Sequence, residues 1–393
     1  MFAICFGLNG LIQYAFGVFI NPLAKAFGCS LTSIGAWNTC TSVGMLIASP
    51  FVGRLADRFG VRQVVLVALP TVSLILVGAG LIHGQVWLLW LAGLGVGAVG
   101  VASGALTYGR AVNSWFSARR GAALGLMSAG VGVSAMFGPR IAQYVIDGWG
   151  WRAGFFFLAL AALAPLPLLY LWLYEPRDKS ARRPSEAPAK EKGLSVRQAL
   201  RTPLFWLMGS ASFLWLSCFG GVYFLIPFLS FAGMSRAEAA TDAGLMGITT
   251  TIGRLTTGAL MDWLPAPYVC TFVFLMEAAA FAALGLFETR YVVVAVLAIG
   301  FAHGTENVGF AYCIARYFGM KSYSTIAGLL GLFSGIGLAL APLVFSSLKT
   351  HTGTYRIPFL VSGAMAGGAG LLFILVGRYR SVSSASEPII AAH

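Results

Sequence analysis

The 393-residue sequence is 58% hydrophobic and only 10% charged, and its mean hydropathy is +0.82. Soluble domains carry about 25% charged residues, so this composition excludes an ordinary water-soluble enzyme or binding domain. It indicates a protein whose solvent is lipid. The 49 glycines agree with this assignment, because small residues allow transmembrane helices to approach closely.

The net charge of +13 does not indicate nucleic-acid binding, because the basic residues are spread over short gaps between apolar runs. The six cysteines lack paired spacing and lie mostly within apolar runs. We therefore expect neither a disulfide framework nor a metal site, and we expect no cofactor. The apolar start of the chain lacks a basic leader and a cleavage site, so no cleaved signal peptide is expected.

Twelve segments are long and apolar enough to cross a bilayer, which requires about 20 residues per helix. In chain order they are 3–24, 33–54, 63–82, 86–114, 121–146, 153–174, 204–232, 239–261, 267–287, 291–315, 323–348 and 357–377. The sequence therefore predicts an all-α membrane protein with twelve transmembrane helices.

A polar stretch at 175–201, rich in Pro, Lys, Arg and Glu, interrupts the apolar pattern and predicts a solvated linker with a short surface helix at 195–200. The predicted organisation follows from it: a six-helix bundle at 1–174, a linker at 175–203, a second six-helix bundle at 204–378 and a tail at 379–393. Most lysines and arginines lie in the linker or in gaps on its side of the membrane. By the positive-inside rule both termini are cytoplasmic, and we expect a monomer in the cell inner (cytoplasmic) membrane.

Residues 53–62, between the second and third predicted spans, read GRLADRFGVR. They resemble the signature G-x-x-x-D-R-x-G-x-R of the major facilitator superfamily, whose transporters consist of two pseudo-symmetric six-helix bundles. The resemblance implies that Asp57 and Arg58, with Arg119 and Arg120 after span four, form a cytoplasmic gate. The alternative is that Asp57 and Arg58 merely follow the positive-inside rule.

The equivalent segment of the second half reads GALMDWLPAP. It keeps Gly258 and Asp262 but lacks the basic residues that follow in the first half. This is typical of a degenerate internal repeat in related transporter halves.

Four further segments resemble the monocarboxylate transporter branch, including its oxalate:formate exchanger-like bacterial members. They read YAFGVFINPLAKAFG, NSWFSARRGAALGLMSAG, GITTTIGRLTTGALMD and ARYFGMKSYSTIAGLLG. The resemblance implies that Arg254 is the helix-eight arginine that binds the substrate carboxylate. The chain departs from the animal members at Thr250, where they carry an aspartate, and at Gly17 or Val18, where they carry a lysine. These departures leave exchange open beside proton symport.

The position of Arg254 supports the same role on physical grounds. An arginine at the centre of a membrane helix costs about 2.5 kcal/mol or more in lipid, so it must face water or a partner. Its planar fork of donors fits a carboxylate in a bidentate way. The alternative is a structural ion pair with Glu306 or Glu277.

In the tenth span, His303, Glu306, Asn307 and Phe310 lie on one helix face, because they are spaced i, i+3, i+4 and i+7. We predict that Glu306 and His303 carry the coupled proton and that Asn307 and Phe310 line the cavity. Pairing of Glu306 with Arg254 remains the alternative.

The other predicted substrate-binding residues are Gln13 and Tyr14 in span one, Tyr108 and Arg110 in span four, and Tyr223 in span seven. Arg110 serves either as a second anion contact or as an interfacial side chain. Together these features predict alternating-access transport of a small monocarboxylate anion with a proton. The other readings are an exchanger, an efflux pump for lipophilic compounds, which the buried arginines oppose, and a receptor without flux, which the short linker and tail oppose.

Overall fold

The computed structural model describes residues 2–116, 119–172, 193–234 and 236–377, which are almost entirely helical. In the first part of the chain the helices are α1 (Phe2–Ala15, continued by Phe16–Phe19 and Ile20–Phe27), α2 (Leu31–Phe59), α3 (Val61–Leu81) and α4 (Val86–Gly100, continued by Val101–Ser103 and Ala105–Trp115). Helices α5 and α6 are the two parts of Arg120–Leu163 before and after Gly150, and Leu166–Trp172 follows them.

In the second part, the helices are α7 (Pro203–Ser217, continued by Phe219–Tyr223 and Leu225–Phe231), α8 (Arg236–Trp263), α9 (Ala266–Phe287), α10 (Val292–Tyr317), α11 (Tyr323–Thr352) and α12 (Arg356–Val376). Each of the twelve predicted spans overlaps one of these helices, and the sixth, 153–174, also covers Leu166–Trp172 and ends outside the described residues. Residues 175–192 of the predicted linker and the tail at 379–393 lie outside the described residues. A short helix, Val196–Leu200, occupies the predicted surface-helix position and begins with a capping box formed by Ser195 and Gln198.

Glycine and serine define the turns between the first helices. Gly28 ends α1 in the left-handed conformation, with φ of 62°, and the Oγ of Ser30 accepts the backbone N–H of Ser33 at the start of α2. Gly60, with φ of 86°, forms the whole connection between α2 and α3. Gly150 likewise has φ of 81°, which L side chains rarely adopt, and the chain turns there from α5 to α6.

In the described part of the chain, eight helical stretches are long and apolar enough to cross a membrane. Two of them, 120–171 and 266–317, are 52 residues long, and each contains two of the helices defined above. Helices α2 and α8 also have transmembrane length, but they carry more polar residues. These polar residues include Asp57 and Arg254.

The chain divides into two compact units. Of the described residues, unit 1 contains 2–116, 126–172 and 322–329, and unit 2 contains 119–125, 193–234, 236–321 and 330–377. The core of unit 1 includes an aromatic cluster in which Phe16 stacks on Trp37 at 4.8 Å between ring centroids and Phe19 packs on Phe155 at 4.7 Å. In unit 2, α9 packs along the glycine-rich α12, and the Thr271 hydroxyl donates to the carbonyl of Gly370 at 3.0 Å.

Close packing of α2 on α4 depends on glycines. A Cβ on Gly97 would overlap the backbone carbonyl of Thr41, and a Cβ on Gly44 would overlap that of Leu94. We predict that Gly97→Ala lowers the stability of the protein by roughly 1–3 kcal/mol, because the two backbones must separate. Thermal unfolding of the purified protein in detergent measures the change. Gly100→Ala is the matched control: a Cβ there meets no atom within 4 Å, so that variant should retain or raise the unfolding temperature.

Candidate functional site

Asp57, near the end of α2, is the centre of a charged cluster in unit 1. Its Oδ1 accepts hydrogen bonds from Arg110 Nη1 at 2.6 Å and from the backbone N–H of Ser324 at 3.0 Å. Its Oδ2 accepts from the backbone N–H of Thr325 at 2.8 Å and from the hydroxyl of the same residue at 2.6 Å. Ser324 and Thr325 lie in the first turn of α11, where backbone N–H groups have no acceptor within the helix. The carboxylate therefore caps the N-terminus of α11, and its negative charge interacts favourably with the positive end of the helix dipole.

Asp262, near the end of α8, makes the equivalent contacts in unit 2. Its Oδ1 accepts the backbone N–H of Gly121 at 2.7 Å, and its Oδ2 accepts that of Ala122 at 2.9 Å. Both amides belong to the first turn of α5, which begins at Arg120. Asp262 caps α5 as Asp57 caps α11.

A glycine four residues before each aspartate makes these contacts sterically feasible. A Cβ on Gly53 would overlap the carbonyl of Ser324, and a Cβ on Gly258 would overlap that of Gly121. The spacing Gly-x-x-x-Asp thus brings a helix end against the start of another helix at two places in the chain. The repeat visible in the sequence is also a repeat of geometry.

Arg254 lies on α8 in unit 2, and only 7% of its surface is exposed. Helices α8 and α10 run in close contact here, because Gly253 packs against the backbone of Phe301 and Gly304 packs against the backbones of Thr250 and Arg254. The hydroxyl of Thr250 donates to the carbonyl of Met246 on its own helix at 2.7 Å. Arg254 is therefore a buried cation whose helix is pressed against the helix that carries His303 and Glu306.

A buried polar cluster centres on Glu277 of α9, which has no exposed surface. Its Oε1 lies 2.8 Å from Nε2 of His303 on α10, and its Oε2 accepts Nε1–H of Trp215 on α7 at 2.6 Å. The thiol of Cys218, just after Trp215, lies 3.7 Å from Oε1. The ring of Phe219 stacks on the His303 imidazole with centroids 4.0 Å apart. Three helices of unit 2 thus meet at one carboxylate.

Glu306 is half-buried and lies one turn after His303 on α10. It is close enough to Arg254, His303 and Glu277 to interact with all three electrostatically. Asn307 and Phe310, on the same face, are also half-buried, and Phe310 packs edge-on against Phe373 of α12 at 5.3 Å. One region of unit 2 therefore groups Arg254, Glu306, His303 and Glu277.

The remaining predicted site residues have varied surroundings. Tyr108 is completely buried on α4 next to Arg110, whereas Gln13 and Tyr14 of α1 are exposed, as is Tyr223 of α7. Among the predicted gate residues, Arg58 and Arg119 are exposed and Arg120 is half-buried. The Arg58 guanidinium lies over the ring of Phe59 at 5.2 Å, while the side chain that pairs with Asp57 at 2.6 Å is Arg110.

Sequence reasoning did not anticipate two of these arrangements. It named Glu277 only as an alternative ion-pair partner of Arg254, and it assigned Arg110 to the substrate or the interface rather than to Asp57. The available signal for both was the presence of an ionisable residue inside an apolar span, since such residues require partners. The partners themselves lie 53 residues away for Arg110, and 26 and 62 residues away for Glu277.

Long apolar helices in two compact units, with ionisable side chains buried within them, define a polytopic membrane transport protein. The family model of the Major Facilitator Superfamily matches residues 2–342. The chain belongs to this superfamily of transporters, and the predicted fold class is confirmed.

Known relatives agree with this placement. The chain is 28% identical over 416 residues to human monocarboxylate transporter 11, covering 97% of this chain and 83% of that protein. It is 27% identical over 219 residues to the oxalate:formate antiporter of Oxalobacter formigenes, covering 51% of this chain and 47% of that protein. The solved structure of the fucose:proton symporter FucP of E. coli matches with a TM-score of 0.77 at 14% identity over 95% of this chain and 97% of that one, which supports the fold.

Proposed function

We propose that this protein is a secondary active transporter of small monocarboxylate anions in which Arg254 binds the carboxylate. The burial of a permanent cation inside a membrane helix is the observation that carries the proposal, because such a charge is stable in lipid only with an anionic partner or water. The guanidinium provides two parallel donors for the two oxygens of a carboxylate. Similarity to a monocarboxylate transporter supports this choice of substrate class.

Proton symport is the coupling that we propose, with Glu306 and His303 as proton-binding residues. Glu306 interacts electrostatically with Arg254, so the arrival of a carboxylate changes the charge that Glu306 experiences. Transport of anion and proton together then moves no net charge. Exchange of one carboxylate for another is the second candidate, supported by Thr250 at the position where animal relatives carry an aspartate and by the similarity to an antiporter.

The conformational cycle that we propose is alternating access, as in other secondary transporters. The helix starts held by Asp57 and Asp262 are released and recaptured during this cycle, and Arg110 holds the Asp57 carboxylate in place. The distribution of basic residues supports an orientation with the linker and both termini in the cytoplasm, in the cell inner membrane. We expect the monomer to be the functional unit.

Uptake of labelled L-lactate into proteoliposomes tests the proposed function. Under symport, an inward proton gradient should accelerate uptake into empty vesicles at least severalfold, and Glu306→Gln should remove this acceleration. Under exchange, uptake should require unlabelled lactate inside the vesicles and should not depend on the gradient. Formate and oxalate belong in the same panel, because one relative of the chain is an oxalate:formate antiporter.

Two controls are protein-free liposomes and proteoliposomes in which an ionophore has dissipated the proton gradient. Absence of carboxylate uptake under every gradient and counter-substrate condition would contradict the proposal. Gradient-driven accumulation that persists unchanged in Glu306→Gln would remove Glu306 from the coupling step and leave the substrate assignment intact.

A further inference from the structure

We propose that Glu277 and His303 form a single proton-binding pair, held together by Trp215, and that this pair acts together with Glu306 as the proton site of the transporter. The inference rests on the proposed function for its role in transport, but the pair itself is defined by geometry within unit 2. The proposal gives a function to Glu277, which lies on α9, whereas His303 and Glu306 lie on α10.

The depth of Glu277 in its helix is the first argument. It lies 11 residues after the start of α9 and 10 before its end, which places it about 15 Å from either end at about 1.5 Å rise per residue. A carboxylate at the middle of a membrane helix is costly unless it is protonated or paired. Glu277 is completely buried, so the side chains that contact it must stabilise its charge.

The hydrogen bonds of Glu277 are the second argument. Oε2 accepts Nε1–H of Trp215, because an indole can only donate. Oε1 and Nε2 of His303, 2.8 Å apart, must therefore have a proton between them, carried by one atom or the other. When that proton is the only one on the imidazole, it is carried by Nε2, the carboxylate is ionised and the pair has a net charge of −1; addition of a second proton, at Nδ1, makes the pair neutral. The step consumes one proton from water by forming an N–H bond, and release to water reverses it.

Exposure indicates how this proton enters. Glu277 has no exposed surface, whereas 8% of the surface of His303 is exposed. The imidazole is therefore the accessible member of the pair. Phe219 covers one face of the imidazole and Trp215 contacts it edge-on at 5.6 Å between ring centroids, so the ring has little freedom to turn away from Glu277.

The charges around the pair connect it to the proposed substrate site. In the described part of the chain, the Cys218 thiol after α7 lies 3.7 Å from Glu277, and Glu306 on α10 interacts electrostatically with both members of the pair and with Arg254 on α8. The sequence of α12 contains no ionisable residue after Arg356 at its start. With His303 neutral and both acids ionised, Arg254, Glu277 and Glu306 together have a charge of −1. One proton on the pair cancels this charge, which makes Arg254 more attractive to an incoming anion.

Histidine NMR tests the pair without any substrate. The chain contains four histidines, His83, His303, His351 and His393, so full-length protein labelled with ring-¹⁵N histidine in liposomes gives few signals, and His303→Gln identifies those of His303. In Glu277→Gln, the pH midpoint of the His303 signals should fall by about one unit or more, because the imidazolium loses its counter-charge. Glu288→Gln, an exposed acid just beyond the end of α9, is the matched control and should leave the midpoint unchanged.

Trp215→Phe provides a second variant that keeps both members of the pair. It removes the N–H that stabilises the anionic carboxylate, so the His303 midpoint should move in the opposite direction, to higher pH. A midpoint unchanged by Glu277→Gln would overturn the proposal, and if that variant does not fold, a midpoint unchanged by Trp215→Phe would do so. Failure of the wild-type protein to take up any carboxylate would contradict the transport proposal and leave the NMR result standing.

Discussion

Replacing Arg254 by lysine should lower the initial rate of L-lactate uptake by about 100-fold while the protein remains folded. The substitution retains the positive charge but removes the planar fork, so a bidentate contact becomes a single one. A 100-fold loss corresponds to about 2.8 kcal/mol, which lies in the range expected for a charge-assisted hydrogen bond. Arg254→Ala should lose at least as much, because it removes the charge as well.

Two measurements separate loss of binding from loss of fold. The unfolding temperature of Arg254→Lys in detergent should stay close to that of the wild-type protein, since the burial and length of the two side chains are similar. Arg290→Lys, at an exposed arginine between α9 and α10, is the matched control and should retain wild-type uptake. Uptake by Arg254→Lys within twofold of wild type would show that the carboxylate anchor lies elsewhere.

Helix positions could be predicted from the sequence because the membrane imposes a single length requirement on every apolar segment. The breaks inside the helices were less visible. Helix α4 is interrupted at 101–104, and α7 is interrupted at Cys218 and again at Phe224, although the sequence is continuously apolar there. Nothing in an apolar run distinguishes a straight helix from one that unwinds for a single turn, since both bury similar side chains.

The sequence could not predict which side chains contact one another across different helices. Helix α9 has few polar side chains besides Thr271 and Glu277, so its pattern does not reveal which face meets α7 and α10. The partners of Glu277 come from two other helices, and only the packed structure brings them within hydrogen-bonding distance. By contrast, Gly53 with Asp57 and Gly258 with Asp262 could be paired from the sequence, because the repeat carries both the contact glycine and the acid at the same spacing.

The two aspartate caps should be independently measurable by hydrogen exchange. In Asp57→Asn, the backbone amides of Ser324 and Thr325 should exchange about tenfold faster or more, because an amide replaces a charged acceptor at a helix start. Loss of about 1.4 kcal/mol produces a tenfold change, and removing a charge-assisted hydrogen bond and a favourable helix-end charge accounts for it. In Asp262→Asn, the same acceleration should appear at Gly121 and Ala122.

Each aspartate variant is the control for the other. Asp57→Asn should leave exchange at Gly121 and Ala122 unchanged, and Asp262→Asn should leave Ser324 and Thr325 unchanged, because each carboxylate holds its own helix start. Equal acceleration at both helix starts in either variant would indicate a general loss of structure and contradict the assignment. Under the proposed cycle, in which the two caps open and close, both variants should also transport L-lactate more slowly than wild type while retaining the dependence of uptake on Arg254.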